Sequence, residues 1–147
     1  MIKYFLLSSI LFISCTLNSC ASGYENDLSQ KNMNTDIKEL ARRSKIDFDE
    51  NSKIIFEEDN LGGNQESQRW IVFSPKKPNL PTDDLGHREK EDAEAYLSQF
   101  KNSARNEDFG TLTSKKTLLS SWKSGWDAAV IQTNKGFYIE LEWVKQQ

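Results

Sequence analysis

After residue 20 the chain contains no cysteine, since Cys15 and Cys20 are its only two. The remainder can hold neither a cysteine nucleophile nor a disulfide framework. Histidine is almost as scarce, with His87 alone. One imidazole, no thiol and no HExxH pattern leave a zinc site poorly supplied. A serine triad has no GxSxG elbow to support it. Gly62-Gly63 is followed by neither Lys-Ser nor Lys-Thr, so it is not a phosphate loop. Proline is confined to Pro75, Pro78 and Pro81, which mark Ser74–His87 as a loop or crossover. Excess basic charge is lacking too: the net charge is −3, which argues against a nucleic-acid partner.

What is present begins with the first twenty residues. Lys3 is followed by the apolar stretch Tyr4 to Ile13, then by small and polar residues ending in Ser19-Cys20. No acid occurs before Glu25. This is the layout of a secretory signal peptide. Its apolar part is shorter than the roughly 20 residues a bilayer span needs.

Leu17-Asn18-Ser19-Cys20 resembles the lipobox of bacterial lipoproteins, with Leu three places before the cysteine and a small residue just before it. The resemblance implies that residues 1–19 are removed and that Cys20 is acylated as the first mature residue. Asn18 departs mildly from the common pattern. An ordinary signal peptide cut near Ser19 or Ala21 is the competing reading, and lipidation at Cys15 another, although Phe12 stands there in the leucine place. The resemblance covers residues 1–20 and implies nothing of the fold beyond them. It implies a cell-envelope location in which the lipid is the membrane contact. Ala21, in place of Asp, points to the periplasmic face of the outer membrane in a Gram-negative host. Loss of Lys3 with the signal takes the charge from −3 to −4.

Residues 20–35 read as the lipidated cysteine and a polar, flexible tether. Residues 36–147 read as a single small domain. Asp36 is placed to cap a short helix ending near Lys45, with Glu39 as its reciprocal partner. Lys53 to Glu58 and Arg69 to Ser74 read as a hairpin, the second strand apolar on both faces. Arg88 to about Asn106 predicts the long helix, with Ala93, Tyr96, Leu97, Phe100 and Ala104 as its apolar stripe. Three strands follow, at Thr117–Trp122, Trp126–Gln132 and Phe137–Val144. In the last, Phe137, Ile139, Leu141 and Trp143 alternate with Tyr138, Glu140 and Glu142, which predicts one buried and one wet face. The expectation is an α+β fold of order α-β-β-α-β-β-β: an antiparallel sheet of about five strands with one helix across it.

Candidate chemistry is sparse. His87 follows Asp83-Asp84-Leu85-Gly86 and could act as a ligand or acid–base group, but a solvated loop histidine explains it as well. Glu140 and Glu142 share a strand face, where Asp127 could join them in an acidic patch. They could be a glycosidase pair or simply a solvating surface. Trp122 and Trp126 flank the Lys123-Ser124-Gly125 turn and, with Trp70 and Trp143, could form an aromatic binding surface or core. Trp122 is expected to be exposed. No cofactor or metal is implied. The expected function is a non-enzymatic protein-binding lipoprotein, of the inhibitor, immunity or assembly-accessory kind by analogy of size and place. Alternatives are a small-ligand or glycan-binding module, and an enzyme needing Asp83, Asp84, His87 or the glutamate pair to converge in one cleft.

Overall fold

The computed structural model describes residues 35–60, 65–81, 87–122 and 125–145. It is α+β and dominated by an antiparallel sheet. The elements are α1 (Ile37–Ser44), β1 (Lys53–Asn60), β2 (Ser67–Ser74), β3 (His87–Lys90), α2 (Ala93–Ser103), β4 (Thr117–Trp122), β5 (Trp126–Thr133) and β6 (Gly136–Val144). Six strands form the sheet in the order β1-β2-β6-β5-β4-β3. The expected five therefore become six.

Local signals account for α1. The Asp36 side chain accepts from the Lys38 amide at 3.3 Å, and Lys45 closes the helix in the left-handed region at φ 60°. Leu40 is fully buried, and the buried Ser44 hydroxyl donates to the Leu40 carbonyl at 2.7 Å. An eight-residue helix is not stable alone, so this packing holds it.

The added strand lies where the sequence predicts the start of the long helix. His87 to Lys90 pair with Ser120 to Thr117, and α2 begins only at Ala93. Glu89, Glu91, Asp92 and Glu94 read as a helical first turn. The alternative that wins is an edge strand, which tolerates charge because all four of its residues are exposed. The apolar stripe of α2 is as expected: Ala93 and Phe100 are buried, with Tyr96, Leu97 and Ala104 packed beside them.

Strand alternation sends side chains to opposite faces of the sheet, and each face carries a packed cluster. On one, Trp70, Val72, Trp126, Val130, Ile139 and Leu141 pack with Leu40 of α1 and Ile46. On the other, Ile71, Ile131 and Tyr138 pack beneath Phe100 and Phe109. The wet face expected of β6 is thus corrected. Tyr138 is 1% exposed, lies 4.6 Å from the Phe109 ring and donates to the Asp108 carbonyl at 3.2 Å. Burial pushes its phenol up to about 12, with Glu107 and Asp108 adding to the effect. At the β5–β6 turn Gly136 has φ +146°, and a Cβ there would lie 2.7 Å from the Ser74 carbonyl oxygen. Only glycine fits so close an approach in that conformation.

Candidate functional site

On the α2 face, past the end of the apolar cluster, the sheet is left open. A groove of about 300 Å³ lies there, lined by Arg88, Tyr96, Leu119, Ser121, Asp127, Ala129, Glu140 and Glu142 among others. Strand register builds its floor. One row runs Arg88, Leu119, Ala129, Glu140 across β3, β4, β5 and β6. The next runs Ser121, Asp127, Glu142, Arg69 across β4, β5, β6 and β2. Directly opposed residues on neighbouring strands have Cβ atoms about 5 Å apart, so Asp127 and Glu142 stand side by side. The half-buried Tyr96 of α2 forms the wall.

The carboxylates have different surroundings. Glu140 accepts from Arg69 Nη2 at 2.6 Å, with both side chains mostly buried. Arg69 also donates to Ser103 of α2 at 3.1 Å and lies 5.4 Å from the Phe56 ring. Glu140 is therefore a structural anion, tied to the guanidinium that staples α2 to the sheet. Asp127 accepts a hydrogen bond from the Ser121 hydroxyl. Glu142 is exposed and makes no ion pair among the described residues. Arg88, across the groove, is exposed and likewise without an ion pair among them. Burial raises the Tyr96 hydroxyl above its ordinary value, with Asp92 and Glu140 adding to it. The phenol thus remains a hydrogen-bond donor beside the carboxylates.

The predicted site residues divide cleanly. Glu140, Glu142 and Asp127 come together, but with Glu140 already bonded to Arg69. His87 is exposed on β3 and alternates with Arg88, so it falls on the other side of the strand. Asp83, Asp84, Gly62, Gly63 and Cys20 lie outside the described residues. Among those described, no group of three or more histidine, cysteine, aspartate or glutamate side chains could hold a metal ion. Trp122 and Trp126 lie on the opposite face, each 4% exposed. The expectation that Trp122 is exposed is thus corrected: its place beside a turn does not expose it, because it stacks on Trp126 at 6.2 Å. Its indole Nε1 is buried without a hydrogen-bond partner among the described residues. Arg88, Tyr96 and Ser121 enter the groove unforeseen, and Arg69 holds its Glu140 from β2, because these places depend on which elements are neighbours.

No family model matches the chain, and no curated protein or solved structure matches it either.

Proposed function

We propose that the protein is a lipid-anchored, non-enzymatic binding module of the cell envelope, tethered through Cys20, whose groove takes a basic segment of a protein partner. The observation that carries the reading is the adjacent pair Asp127 and Glu142, opposed on neighbouring strands in an open groove. Neither makes an ion pair among the described residues, although Arg69 stands opposite Glu142, because that guanidinium is bonded to Glu140. An open groove with an acidic strip suits the basic side chains of a protein partner better than an enclosed apolar ligand. Catalysis is poorly served: Glu140 is bonded to Arg69, and His87 is not in the groove.

A polar small molecule such as a glycan is the second reading. Tyr96 favours it, since an aromatic ring beside carboxylates and a hydroxyl can stack on a sugar while they bind its hydroxyl groups.

Crosslinking in envelope fractions, with the wild-type lipoprotein and an Asp127→Lys/Glu142→Lys double variant side by side, tests both. A stoichiometric protein partner present with the wild type and absent with the double variant is expected. A partner retained at equal yield by the double variant overturns the groove as its site. No protein partner, together with a saturable response to a glycan array, moves the assignment to the second reading.

A further inference from the structure

All four tryptophans of the chain meet on the face of the sheet that α1 covers. Trp122 stacks on Trp126 at 6.2 Å and 4°, and Trp126 stacks on Trp70 at 5.6 Å and 25°. Trp143 is the cross-strand neighbour of Trp126. One cation sits among these rings. The Arg43 guanidinium lies 5.3 Å from the Trp70 ring, 5.8 Å from Trp126 and 5.9 Å from Trp143. All three distances are within the roughly 6 Å over which an aromatic face attracts a cation.

The cage also has a hydrogen-bond acceptor set in place before any ligand arrives. Arg43 Nη2 donates to Gln68 Oε1 at 2.6 Å. The other end of that amide, Gln68 Nε2, donates to Asp59 Oδ1 at 2.9 Å, which turns the Gln68 oxygen towards the rings. Trp70 is fixed by its own Nε1, which donates to Glu57 at 3.2 Å. Three indole faces and one oriented carbonyl match a planar guanidinium, which can stack and donate at once. They match an ammonium less well, and a quaternary ammonium has no N–H to give.

Arg43 is not what holds α1 down. Leu40 and Ser44 are fully buried and Ile46 is 2% exposed, whereas Arg43 is half-buried and sits in the last turn on a long, flexible stem. Its side chain can leave the cage while the helix stays seated. Trp143 is half-buried as well.

We propose that Trp70, Trp126, Trp143 and Gln68 form an arginine-recognition site. In the resting chain Arg43 fills it, and an arginine of a partner protein takes it when Arg43 swings out. The bound chemistry is already displayed by the resident side chain. The resident occupant is an arginine within a chain, and the proposed occupant is of the same kind. The site lies on the opposite face from the acidic groove and does not depend on it. Because Arg43 competes from within the same molecule, the wild type binds more weakly in proportion to the fraction of time the cage is vacant.

Tryptophan fluorescence of the full chain, titrated with a capped arginine peptide, tests this. Arg43→Ala is expected to give a saturable response at least tenfold tighter than the wild type. A capped lysine peptide and tetramethylammonium are expected to bind at least tenfold more weakly than the arginine peptide. Adding Trp143→Ala to Arg43→Ala is expected to abolish the response while the far-ultraviolet circular dichroism stays native. No saturable response from a natively folded Arg43→Ala chain overturns the proposal. So does equal binding of lysine, or a requirement for free arginine with both its termini. If Arg43→Ala does not fold, the wild type decides at higher peptide concentration: preference for arginine over lysine sustains the proposal, and equal responses end it.

Discussion

At the scale of single residues, Arg69 separates the structure of the groove from its chemistry. It bonds Glu140 at 2.6 Å and Ser103 at 3.1 Å from a largely buried position. Removing it leaves a mostly buried carboxylate without its cation, which costs far more than losing an exposed pair. Arg69→Ala is expected to destabilise the fold by about 2–3 kcal/mol in urea unfolding, in line with a charged hydrogen bond left half made. Glu142 is exposed on the same row, so Glu142→Gln is expected to change stability by less than about 0.5 kcal/mol. A reversed order of the two effects would show that Glu142, not Glu140, is the anion the fold depends on. The salt bridges from Lys116 to Glu89 at 2.7 Å and from Lys145 to Glu66 at 2.9 Å join exposed side chains and contribute little.

Among the elements, β6 and β3 stand at opposite extremes. β6 is paired on both sides, to β2 and β5, and carries the buried Tyr138, Ile139 and Leu141. β3 has four exposed residues and one strand neighbour. Charge, shortness and exposure protect such an edge from pairing with another chain, and they also make it the weakest part of the sheet. Amide hydrogen exchange is expected to show this, with the β3 amides opening at free energies well below the global value and those of Val130, Ile139 and Leu141 exchanging only through global unfolding. Equal protection in β3 and β6 would mean that the edge is covered in solution. The described part of the loop with the three prolines, residues 75–81, is tied to the fold. Pro78 is buried, Leu80 packs on the α1-face cluster, and Asn79 and Asp47 exchange two backbone hydrogen bonds at 3.2 Å.

For the whole molecule, the proposed membrane contact is the lipid on Cys20. Several acyl chains at Cys20 would anchor firmly, since each buried methylene contributes about 0.8 kcal/mol. Cys20→Ala is expected to move the protein from the membrane to the soluble fraction of a lysed cell, with the fold intact by circular dichroism. Cys15→Ala is expected to leave it in the membrane. Retention of the Cys20→Ala form, with release of the Cys15→Ala form, would place the lipid on Cys15 instead.

Local chemistry was readable from the residues alone: the Asp36 cap and the end of α1 at Lys45, the apolar stripe of α2, the hairpin of β1 with β2, and the meander of β4, β5 and β6. Each depends on neighbours a few positions apart, which is where capping, helical spacing and strand alternation operate. The α+β class followed from those pieces. The tertiary structure decided the rest, because pairing and coverage involve residues far apart in the chain. His87 to Lys90 are a strand only because β4 offers them an edge. Tyr138 is buried only because Phe109 returns across it, although its alternation with Glu140 and Glu142 looked like a wet face. Trp122 is core rather than surface because Trp126 lies opposite it. The groove and the tryptophan cage are assembled by strand register, as Glu142 meets Asp127 and Arg43 meets three indoles from β2, β5 and β6.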